Sequence, residues 1–83
     1  MIFGAIMLDN QEDNFSIFIA SVPDREKCVC EIFFNRFQWA EISQEEEEII
    51  IQFYSHPSQD YWEFSLDEAL ATLLKAKERF LSE

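Results

Sequence analysis

Phe64-Ser65-Leu66-Asp67-Glu68-Ala69-Leu70-Ala71-Thr72-Leu73-Leu74-Lys75-Ala76-Lys77-Glu78-Arg79-Phe80 decides the fold. Ser65 can accept from the backbone amide of Glu68 while the Glu68 carboxylate reaches back, a capping box. Phe64, just ahead of the cap, can staple onto the first turn. Acids open the segment and Lys75, Lys77 and Arg79 close it, which suits the helix macrodipole. Leu66, Leu70, Leu73, Leu74, Lys77 and Phe80 share one stripe at helical spacing, with Asp67, Thr72, Lys75, Glu78 and Arg79 largely opposite. The pattern predicts a C-terminal helix over 65–82 whose leucine stripe packs on one face of a sheet.

Upstream, residues 1–64 read as strands. Ile2 to Leu8 is a short apolar run followed by a polar turn cluster, Asp9 to Asn14. Phe15 to Val22 places Phe15, Ile17 and Ile19 on one face and Phe18, Ala20 and Val22 on the other. Pro23-Asp24-Arg25-Glu26 has turn chemistry. Lys27 to Phe34 returns as a hairpin partner, with room for pairing to run on to Trp39 or Ile42. After the polar connection Ser43 to Glu46, Glu48 to Tyr54 forms a further strand, ended by His56-Pro57-Ser58-Gln59 because Pro cannot continue a central ladder. The expected fold is α+β: an antiparallel β-meander of about four strands packed against one C-terminal α-helix. These strands are apolar on both faces, and one helix covers only one. The second face then needs loops, a partner or a second copy, and a homodimer is the expectation if it stays open.

Eighty-three residues make one domain, 1–83. A chain this long buries roughly 60–65% of its unfolded surface, enough for one modest core without a deep cleft. With 48% hydrophobic residues and nine Phe, the composition is that of a folded domain. Cys28 and Cys30 sit too far apart along a strand to bridge, so a reducing compartment fits. The apolar start lacks both a preceding basic residue and a small-residue cleavage site, and it is too short to span a bilayer. The expected location is cytoplasmic, without membrane attachment.

Net charge is −11, and its distribution is uneven. From Phe37 to Leu74 there is no Lys or Arg, yet the stretch holds Glu41, Glu45, Glu46, Glu47, Glu48, Asp60, Glu63, Asp67 and Glu68. All six cations lie outside it: Arg25, Lys27, Arg36, Lys75, Lys77 and Arg79. Such a field repels nucleic acid and anionic membrane and speeds encounter with a basic partner. Two aromatic-acid clusters fall inside the stretch, Phe37-Gln38-Trp39-Ala40-Glu41 and Asp60-Tyr61-Trp62-Glu63-Phe64. Trp and Tyr dominate interface energetics, and acids at the rim steer cations. The expected partner-binding residues are Trp39, Glu41, Glu45, Glu46, Glu47, Glu48, Tyr54, Asp60, Tyr61, Trp62 and Glu63.

Catalytic chemistry finds little support. His56 is the lone histidine and stands beside Pro57 in a loop; no motif supplies a nucleophile, a base and an orienting group together. Cys28, Cys30 and His56 fall short of the four ligands usual for structural zinc. Consecutive Glu45 to Glu48 alternate in direction and lack the Gly turn of a calcium loop. Gly4 is the only glycine, so no phosphate loop exists. Neither enzyme activity, cofactor nor metal is expected.

A small acidic β-meander closed by a helix entered through Trp62-Glu63-Phe64-Ser65-Leu66-Asp67-Glu68 resembles immunity proteins of bacterial polymorphic or contact-dependent toxin systems. The resemblance covers the last third of the chain. It implies a cytoplasmic inhibitor that occludes the active site of a basic toxin, commonly a nuclease. A homodimeric structural or regulatory domain and a phage-type mimic of nucleic acid are the competing expectations.

Overall fold

A computed structural model describes residues 14–23 and 26–83. Four strands and one helix follow in order: β1 (Phe15–Ala20), β2 (Val29–Phe34), β3 (Phe37–Ser43), β4 (Ile50–Phe53) and α1 (Leu66–Leu81). Each strand pairs antiparallel with its sequence neighbour, so the sheet order is β1-β2-β3-β4 and the fold is an α+β meander closed by a helix. The strand expected at Ile2–Leu8 lies outside the described residues.

Sequence pattern and structure part at Asn35-Arg36. The strand expected at Lys27–Phe34 ends at Phe34, and the residues toward Ile42 form a separate strand, because the chain reverses there and Phe34 faces Phe37 across a two-residue turn. Both turn residues have positive φ, 51° at Asn35 and 82° at Arg36. A tight hairpin whose twist matches its strands requires that conformation. Asn tolerates it; Arg adopts it against its β-carbon, and no Gly announces the turn. A bulge between Ile32 and Phe33 then shifts the register, so that Phe33 faces Gln38.

Register puts Ile17, Ile19, Cys30, Ile32, Ala40 and Ile42 on the face that α1 covers. Cys30, Ile32, Trp39, Ala40 and Ile42 form the buried core with Ala69 and Ala76 of α1. Phe64 anchors the helix entry: its ring lies 4.7 Å from Phe34, 4.8 Å from Trp39 and 5.0 Å from Phe15, centroid to centroid. Distances of this size suit tilted and edge-on aromatic contacts. Ser65 caps the helix as the sequence implies, its Oγ accepting from the Glu68 amide at 3.2 Å. On the sheet's second face Val29, Glu41 and Ser43 are buried, whereas Phe18 stands exposed against Phe33.

The helix is rotated from its expected setting. Ala69, Thr72 and Ala76 are the residues buried beneath it, with Leu73 and Phe80 half-buried beside them. Thr72, expected on the solvent side, faces the sheet. Leu66, Leu70 and Leu74, read as core, are 52–72% exposed, and Leu81 is exposed as well. Small side chains explain the rotation: Ala and Thr let the helix axis approach a sheet face already filled by Trp39, Ile32 and Phe15. A leucine stripe would hold it away.

Candidate protein-binding surface

Strand β3 separates the expected contact residues into two groups. Its Phe37 end meets the segment from Tyr54 to Glu63, where the Phe37 and His56 rings lie 5.1 Å apart and His56 and Trp62 4.6 Å apart. Its Ser43 end runs into the loop holding Glu45 to Glu48. Six residue steps of extended chain put about 20 Å between these ends. One partner must therefore span the sheet to touch both groups.

At the loop end, Glu45, Glu46, Glu47 and Glu48 are all exposed and line one concavity with Ile50. The Gln44 side-chain amide donates to the Glu47 carbonyl at 2.8 Å, and the Glu26 amide donates to Glu45 Oε1 at 3.4 Å. The first bond ties the two ends of this short turn together.

At the other end, His56 is part of the scaffold. Its Nδ1 accepts from the amides of both Ser58 and Gln59 at 3.0 Å, closing the turn around Pro57. The Nδ1 lone pair is thus engaged with the backbone of the turn. The Trp62 indole N–H donates to the Tyr54 carbonyl at 2.8 Å, and the Tyr54 hydroxyl donates to Glu41 Oε1 at 3.0 Å. Tyr54 and Trp62 thus brace the loop, while Tyr61, Asp60 and Glu63 project into solvent. Trp39 is 8% exposed and Glu41 is buried as well, so both lie mostly inside the protein, with little surface left for a partner.

Sequence reasoning missed the apolar surface between these ends. Leu66, Leu70, Leu74 and Leu81 form one stripe of α1. The opposite flank of the helix, with Glu68, Ala71, Lys75 and Arg79, leans toward β1, and Arg79 Nη1 donates to the Ile17 carbonyl at 3.0 Å. The leucines lie on the other flank and outer side of the helix, away from β1. Strand β4 lies beyond the reach of α1, which packs on β1, β2 and β3. On the same sheet face, Ile51 and Phe53 of β4 are exposed, Phe53 to 57%. Covering one such side chain yields about 1.5–3 kcal/mol, so a partner seated here gains affinity that the acids cannot supply. The stripe was legible as periodicity; its exposure follows only from the small residues beneath the helix.

Of the two thiols, Cys28 is exposed, whereas Cys30 is buried and its Sγ lies 3.8 Å from the Ala76 carbonyl, which accepts its proton. Among the described residues, no group of three His, Cys, Asp or Glu side chains is placed to hold a metal ion, and no helix is long and apolar enough to cross a membrane. Compared with known protein families, curated proteins and solved structures, the chain matches none.

Proposed function

We propose that this protein is an acidic, non-catalytic inhibitor that binds a basic protein and occludes its active surface, in the manner of an immunity protein for a nuclease-type toxin. The observation that carries this reading is the run from Phe37 to Leu74, where every exposed charge is negative. Those charges gather at two ends of one sheet, with an apolar surface between them. Acids at that spacing attract an extended cationic surface at long range, and apolar contacts then hold it. His56 serves a turn, which fits a binding role better than proton transfer.

Affinity capture from the native host followed by stopped-flow association tests the reading. The captured partner should be basic. Its association rate should fall steeply with salt, and it should slow when Glu45 to Glu48 are changed together to Gln. A partner whose association rate ignores both salt and the Gln changes would reduce the acidic stretch to a solubility device.

A further inference from the structure

We infer that this protein pairs with a second copy of itself through the outer stripe of α1, the two helices running antiparallel. The inference stands apart from the basic-partner reading, since it uses the helix alone. Leu66, Leu70 and Leu74 follow one another at steps of four, and Leu81 closes the stripe in the last turn; all four are exposed. Residues four apart form a ridge along a helix, and such ridges fill the grooves of a second helix. Ala69, Thr72 and Ala76 hold α1 to the sheet, which leaves the leucines outside. The 16 residues of α1 give the helix a length of about 24 Å, or four turns against a copy of equal length. Four exposed leucines in one row differ from the scattered apolar residues of an ordinary surface.

Charge selects the occupant and its direction. The first turn of α1 carries Asp67 and Glu68, and its last two turns carry Lys75, Lys77 and Arg79. Antiparallel copies set the acidic end of each helix beside the basic end of the other, and their macrodipoles oppose; parallel copies set like against like. The spacing also closes on itself. Asp67 stands three residues before Leu70, and Lys77 three after Leu74. A two-fold axis midway between Leu70 and Leu74 therefore brings Leu70 of each copy level with Leu74 of the other, and Asp67 level with Lys77. Glu45 to Glu48 follow Gln44, which shares a concavity with Phe80 and Leu81 at the C-terminal end of α1. Antiparallel packing keeps the two acidic loops at opposite ends of the pair, whereas parallel packing would set them side by side. A purely cationic helix would meet Lys77 within the stripe, and a purely acidic one would meet Asp67.

Sedimentation equilibrium of the full chain from about 10 μM to about 1 mM tests this. The mass should rise with concentration from that of one chain toward twice that value. Leu70→Gln with Leu74→Gln should weaken the pairing by about tenfold or more with an unchanged circular dichroism spectrum. Lys77→Glu alone and Asp67→Lys alone should each weaken it by about fivefold, because the two-fold repeats every lost pair. Asp67→Lys combined with Lys77→Glu should restore it, since antiparallel copies again set acid beside base. A single-chain mass throughout the range overturns the inference and leaves the stripe to a foreign protein. A dimer that keeps its strength in the Leu70→Gln with Leu74→Gln variant pairs through another face and overturns it too. So does a dimer indifferent to both single charge changes, or one that the double change fails to restore, because parallel copies would give those results. None of these outcomes touches the basic-partner reading, whose test is the captured partner's association rate.

Discussion

Single residues carry strain and charge that the fold tolerates for identifiable reasons. Arg36 sits at φ 82°, a region where a β-carbon costs about 1–2 kcal/mol. Arg36→Gly removes that clash and concedes some unfolded-state entropy, so unfolding in urea should show a gain of about 0.5–1 kcal/mol. A loss would mean that the Arg side chain, not the turn geometry, holds the hairpin. Cys30 offers a second measurement. Burial raises its thiol pKa above the ordinary 9.0, with nearby Arg79 opposing and Glu31 reinforcing the rise. The unfolded chain releases that proton first. The thiol's contribution is therefore complete below pH 9.0 and lost as pH climbs through the folded value. Stability of the wild type should fall more steeply above that pH than that of Cys30→Ser, and parallel curves would remove the thiol from the account.

At the scale of elements, the helix setting is the feature to test. Ala76 is fully buried against Cys30 and the sheet, so Ala76→Leu should cost about 1–3 kcal/mol through overpacking. Leu74→Gln should change stability by less than about 0.5 kcal/mol, since it alters only exposed surface. Chemical denaturation of the two variants separates the settings, and a large loss on Leu74→Gln would restore the leucine stripe to the core. The same comparison explains what sequence could reveal. Alternation from Phe15 to Ala20, the capping box at Ser65 and the polar breaks after Ser43 were enough for the strands and helix. Asn35-Arg36 was not, because positive φ without Gly leaves no compositional trace. Nor was the rotation of α1: hydropathy ranks Leu above Ala, while proximity to a sheet crowded with Trp39 and Phe15 favours Ala. The acidic half of the candidate surface could be read directly from charge. Its apolar half could not, because exposure is a property of packing.

Over the whole molecule, a charge of −11 works against compactness, and Glu45 to Glu48 concentrate the repulsion in one exposed loop. Replacing all four with Gln should raise the thermal midpoint in low salt. The difference should shrink at physiological ionic strength, where screening acts over about 8 Å. A midpoint that does not move would show that the carboxylates, exposed to solvent, scarcely feel one another. The meander itself has a temporal consequence. Each strand pairs with the one beside it in sequence, and such hairpins close in about 1–10 μs. The contact from Arg79 to Ile17 must instead close a separation of 62 positions, a slower search with a larger loop-closure entropy. The sheet thus has the chance to assemble while Ile17, Ile32 and Ile42 still lack their helical cover. A sheet formed first would present a bare aliphatic face, and like charge on the acidic loop at its end would oppose the approach of neighbouring chains until the helix docks.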